Sequence, residues 1–148
     1  PIQKSPVRLL TFFTAAAALL AATIALAGET PAPAGAAVYF IVPADGAQIT
    51  GPVTVKFGLR GMGVAPAGIE KASTGHHHLL VNIDPPKGED LDYSLPADEN
   101  VRHFGGGQTE ATLDLPKGTH TLQLLLGDAN HIPHNPPGLS GKIIITVQ

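Results

Sequence analysis

The chain has 148 residues, with nine Lys or Arg, twelve Asp or Glu, seven His and no Cys. That length holds one domain and a short appendage, and the missing cysteine excludes disulfides, thiolate nucleophiles and thiolate metal sites. Beyond Gly28, seven basic residues face twelve acidic ones, a formal charge of −5 that gives no basic footprint for nucleic acid.

The appendage comes first. Lys4 and Arg8 precede Leu9–Leu26, an uncharged run dominated by Ala and Leu, and Ala25-Leu-Ala27 follows as a small-x-small pattern. Residues 1–27 therefore read as a signal peptide or as a retained transmembrane anchor. Eighteen helical residues rise about 27 Å, just enough for a ~30 Å hydrocarbon core. The expectation favours the anchor: a helix over residues 9–26 in the lipid bilayer, N-terminus cytoplasmic and the remainder exported. Ala15, Ala18 and Ala22, spaced three and four apart, would pack it against a neighbouring helix.

Residues 28–37 form an extended Pro/Ala linker. From residue 38 to 148 the hydrophobic pattern has period two, with turn signals between the runs. Strands are expected at Val38–Val42, Val53–Leu59, His77–Ile83, Thr109–Leu115, Thr119–Leu126 and Lys142–Val147. A seventh, irregular strand is expected within Leu91–Val101, where Pro85, Pro86 and Pro96 interrupt any longer ladder. Pro43-Ala-Asp-Gly46 and Pro116-Lys-Gly118 are tight turns. Seven short strands at this spacing predict an all-β, immunoglobulin-like antiparallel β-sandwich.

Specific stretches add a resemblance. Val42-Pro-Ala-Asp-Gly-Ala-Gln-Ile-Thr-Gly-Pro-Val-Thr-Val-Lys-Phe57 resembles the opening of bacterial immunoglobulin-like domains. Gly118-Thr-His-Thr-Leu-Gln-Leu124 with Gly127-Asp128 resembles their penultimate strand, and Gly141-Lys-Ile-Ile-Ile-Thr-Val147 their last. Gly75-His-His-His-Leu-Leu80, His103-Phe-Gly-Gly-Gly-Gln-Thr-Glu110 and Leu126-Gly-Asp-Ala-Asn-His-Ile-Pro-His134 are more narrowly similar to a family of small exported bacterial proteins of uncharacterised function. The resemblance covers roughly residues 38–147 and implies a fold, not an activity.

With the strands lettered A to G, the loops B–C, D–E and F–G share one end of such a sandwich. His76, His77 and His78 stand at the top of strand C, His103 leads into the D–E loop, and His131 and His134 lie in the F–G loop. Only His120 is elsewhere. On a strand, His76 and His78 share a face and His77 points to the other. The candidate metal ligands are His76, His78, His103, His131 and His134, with Asp128 and Asn130 placed to hold the imidazole tautomers. Met62 beside them would favour copper, whereas carboxylate with imidazole would suit zinc. A hydrogen-bonded histidine network or a docking surface uses the same residues.

Catalysis is not expected. The chain has neither a Gly-x-Ser-x-Gly elbow nor a cysteine nucleophile. The leading expectation is a non-catalytic accessory subunit of an integral membrane protein complex, photosynthetic or respiratory, in the bacterial inner membrane with its globular domain in the periplasm. The alternative is a free, soluble periplasmic copper- or zinc-binding protein with a cleaved leader.

Overall fold

The computed structural model describes residues 30–148. The expected helix over residues 9–26, with Ala15, Ala18 and Ala22, lies outside them. Among the described residues, no helix is long and apolar enough to cross a membrane.

The strands in chain order are β1 (Ala37–Val42), β2 (Gln48–Ile49), β3 (Val53–Arg60), β4 (Gly63–Val64), β5 (Thr74–Val81), β6 (Val101–His103), β7 (Glu110–Leu113), β8 (Gly118–Gly127) and β9 (Ile143–Val147). They form a β-sandwich. One sheet has the order β1-β3-β7, and the other β2-β9-β8-β5-β4, with β6 also on β5. The six regular strands expected all appear, in the immunoglobulin-like division between two sheets.

Alternation explains the packing. Along β3, Val53, Val55 and Phe57 face inward while Thr54 and Lys56 face water. Leu79 and Val81 of β5 meet them from the second sheet, with Leu122, Leu124 and Leu126 of β8 and Ile143, Ile145 and Val147 of β9. After β1 the chain crosses between sheets. Asp45 Oδ1 accepts from the Ile144 amide, and β2 then runs parallel to β9.

Three expectations change. The seventh strand is not within Leu91–Val101; its ladder begins at Val101 and runs to His103, and a short 3-10 turn covers Gly88–Asp92. Pro96 supplies no amide hydrogen, which keeps the segment before Val101 out of a ladder. This strand also joins β5 rather than the β1-β3-β7 sheet. Strand C starts earlier than expected, at Thr74, and ends at Val81, where Asn82 turns with φ 55°. Finally, the segment read as a linker is docked: Ala32 N–H donates to Asn135 O, and Asn135 N–H donates to Thr30 O.

The β5 strand is buried on both faces from Gly75 to Val81. Its inner face joins the main core. Its outer face is covered where Leu80 and Leu125 pack with Leu95, Val101 and Leu139 in a second small cluster. A strand roofed on both sides loses polar alternation, which is why this run reads as unbroken His and Leu.

His77 shares the inner face with Leu79, its ring centroid 5.1 Å from that of Phe57. It has no solvent exposure, and neither ring nitrogen has a hydrogen-bond partner among the described residues. A neutral imidazole always carries one N–H, and burying it unpaired costs about 1–3 kcal/mol. His77→Leu should therefore raise the urea midpoint of unfolding at pH 7.5. A lowered midpoint would mean that His77 makes a stabilising polar contact.

Candidate metal centre

His76 and His78 project from the outer face of β5, and His131 closes on them from the loop between β8 and β9. The Nδ1 atom of His131 lies 2.9 Å from His76 Nε2 and 3.1 Å from His78 Nε2. One ligand-capable nitrogen from each ring falls within 4.8 Å of the other two, so the group can hold a metal ion. His76 and His78 are fully buried, and His131 is half-buried. Access is therefore from the His131 side.

The ladder between β5 and β8 sets two of the three. His76 pairs with Gly127 and His78 with Leu125, so both rings rise beside the start of the loop. Gly127 is required there. A Cβ at that position would strike Cε1 of His78 and lie 2.9 Å from its Nδ1.

The third ring depends on Asp128. Its Oδ1 accepts the amides of Asn130 at 2.8 Å and Ile132 at 3.0 Å. Its own backbone N–H donates to Ile132 O, and its carbonyl accepts from His131 N–H. This Asx-type turn holds His131 at φ 62°, a left-handed conformation that His tolerates better than most residues. Leu95 N–H donates to His131 O and ties the loop to the covering segment. Asp128 thus shapes the loop backbone and makes no bond to an imidazole. Asn130 contributes its carbonyl oxygen, which accepts from Ser94 Oγ.

The remaining histidines differ. The His103 ring stands 4.3 Å from that of His78 and 4.6 Å from that of His131, centroid to centroid. Its Nε2–H donates to Pro96 O at 2.7 Å. A carbonyl only accepts, so Nε2 carries a proton. His134 donates Nε2–H to Thr74 O at 3.0 Å and lies outside the three-nitrogen group. His120 is saturated, donating to Pro116 O and accepting from the Asn82 amide. Met62 packs against the main core. The sequence thus contains His76, His78 and His131 among its candidate ligands, and the fold sorts them from the others. The Asp128-Ala-Asn130 turn was the available signal for how His131 is aimed.

Burial lowers the His76 pKa to about 4, with a further push from the positive forms of His131 and His103. Burial likewise lowers His77 to about 4. His78 falls to about 2, through burial and then the charges of His76, His103 and His131. His131 is also lowered, by burial first and then by His103. Asp128 opposes the lowering at His76 and His131, a sign that also favours a bound cation.

Fold and site together define a two-sheet β-sandwich carrying a histidine trio, two of its rings buried, on the outer face of one sheet. The chain belongs to the family described as Domain of unknown function (DUF4399), whose family model matches residues 55–148. That span includes all three members of the trio. No curated protein and no solved structure matches the chain.

The lowered pKa values set the pH dependence of stability. Between about pH 6.5 and 4 the unfolded chain binds more protons than the folded one, so stability falls as pH falls. Each such histidine contributes up to ~1.4 kcal/mol per pH unit in that window. Urea titrations of metal-free protein should show a plateau above pH 7 and a steep loss below pH 6.5. Constant stability from pH 7 to 5 would contradict this burial of neutral rings.

Proposed function

We propose that this protein is an exported metal-binding β-sandwich whose ligands are His76 Nε2, His78 Nε2 and His131 Nδ1, and whose metal is Cu²⁺ or Zn²⁺. The observation that carries the reading is the convergence of these three nitrogens at 2.9 and 3.1 Å. Hydrogen bonding does not satisfy all of them. His131 Nδ1 faces two partners, yet it has either one proton or one lone pair. One linear hydrogen bond leaves the third nitrogen unpaired, and a shared proton weakens both contacts. A metal ion uses all three lone pairs together.

The spacing suits that exchange. Metal–nitrogen bonds of about 2.0–2.1 Å in a tetrahedron place ligand nitrogens roughly 3.3 Å apart. The two contacts at His131 Nδ1 need to open only by a few tenths of an ångström, and the His76 and His78 nitrogens lie within 4.8 Å of each other. Three imidazoles with no thiolate or thioether favour Cu²⁺ and Zn²⁺ over soft Cu⁺. With His76 and His78 buried, a fourth ligand such as water would have to enter past the partly exposed His131 and His103. The role is binding rather than turnover.

The expectation of an accessory subunit in a membrane complex rests on residues 9–26. It is compatible with this reading, because a tethered domain can hold a metal. Export rests on the same residues.

Chelator-washed protein titrated with Cu²⁺ or Zn²⁺ at pH 7.5 should bind one ion and melt at a higher temperature. Ligand in hundredfold excess over Kd adds about 2.7 kcal/mol. The gain should shrink as pH falls toward about 4, where His76 takes up a proton, since ligating imidazoles must be neutral. His76→Ala, His78→Ala or His131→Ala should each weaken binding by more than the roughly 10–100-fold typical of a supporting residue. His120→Ala should lower stability and leave the stoichiometry unchanged. No uptake at pH 7.5 would leave the trio as a hydrogen-bonded network and end the metal reading.

A further inference from the structure

The segment leading out of residues 1–29 is bonded to the loop that aims His131. Thr30 Oγ1 donates to Asp128 Oδ2 at 2.7 Å across 98 residues of sequence. The same stretch pairs with Asn135 at the far side of the loop, through Ala32 N–H to Asn135 O at 3.0 Å and Asn135 N–H to Thr30 O at 2.9 Å. Pro31 and Asn135 form an isolated parallel bridge. The strap therefore grips the loop on both sides of His131.

Asp128 is the link. One carboxylate oxygen receives Thr30, and the other receives the amides of Asn130 and Ile132, which flank His131. Thr30 thus fixes the rotation of the carboxylate that sets the backbone turn at His131. That residue holds a left-handed φ of 62°, a conformation that persists where its surroundings over-determine it. The strap supplies one of those constraints from outside the loop.

We infer that Thr30 is a positioning residue for the metal centre, and that the N-terminal strap and the metal site are energetically coupled through Asp128 and the His131 loop. The inference rests on the metal reading above. Coupling is reciprocal: whatever the docked strap adds to metal affinity, the metal returns as tighter docking of the strap.

The test uses the full chain. Thr30→Val keeps the side-chain shape and removes the donor, and Thr30→Ser restores it. With Cu²⁺ alone as probe, Thr30→Val should lower affinity on the order of tenfold, as loss of a supporting residue does. It should also alter the electron paramagnetic resonance signature of bound Cu²⁺, and Thr30→Ser should recover both. Should Thr30→Val fail to fold, the wild-type chain still decides. Adding Zn²⁺ should slow hydrogen exchange at the Ala32 and Asn135 amides, which are about three hydrogen bonds from the ion. Wild-type metal binding with unchanged Thr30→Val affinity, or with unchanged exchange at both amides, overturns the coupling alone. A wild-type chain that takes up no metal overturns the metal reading and this inference with it.

Discussion

The register between β5 and β8 is the constraint on which the rest depends. It pairs His76 with Gly127, His77 with Leu126 and His78 with Leu125. A slip of one residue would turn His76 and His78 into the sandwich interior and put His77 outside. The inward Leu79 and Val81 forbid that slip, because it would carry both off Leu122, Leu124 and Leu126 of β8 and out of the core. The hydrophobic core thereby selects the face on which the histidines appear. Leu80 and Leu125 then bring the covering segment over that face and exclude water from His76 and His78.

Such a site is costly to build. Imidazole burial disfavours the charged form, and four rings at this end have lowered pKa values. The Nδ1 atoms of His76 and His78 are buried without hydrogen-bond partners among the described residues. A fold selected for stability alone would fill this face with apolar side chains. His103 and His120 show the ordinary alternative, each donating to a carbonyl oxygen. The trio has nitrogens aimed at one another instead, which is the arrangement a cation satisfies. Asp128 stands close enough to favour positive charge there, while its oxygens hold the loop in shape.

Much of the sandwich was legible because period-two alternation and Pro/Gly turns are local signals. The Val53-Thr-Val-Lys-Phe57 run shows its inward and outward faces directly. Opposite orientation of His77 relative to His76 and His78 follows from pleating alone. Which face turned inward was not legible, since β5 is covered on both sides and its sequence carries no alternation. The path of β6 was hidden for a related reason: Pro85, Pro86 and Pro96 announce an irregular stretch but not the sheet it rejoins. Separation of His131 from His134 depends on Asp128, whose carboxylate acts on backbone amides two and four residues ahead. That contact, like the bond from Thr30, is a tertiary detail with no periodic signature.

The central claim is that His76, His78 and His131 surround one metal ion. Anomalous X-ray diffraction from crystals of the Zn²⁺-loaded protein, measured on both sides of the zinc edge, tests it most directly. The account predicts a single strong peak about 2.0–2.1 Å from His76 Nε2, His78 Nε2 and His131 Nδ1. A peak bound to His134 or to surface carboxylates, with His131 Nδ1 still in contact with His76 Nε2 and His78 Nε2, would contradict it.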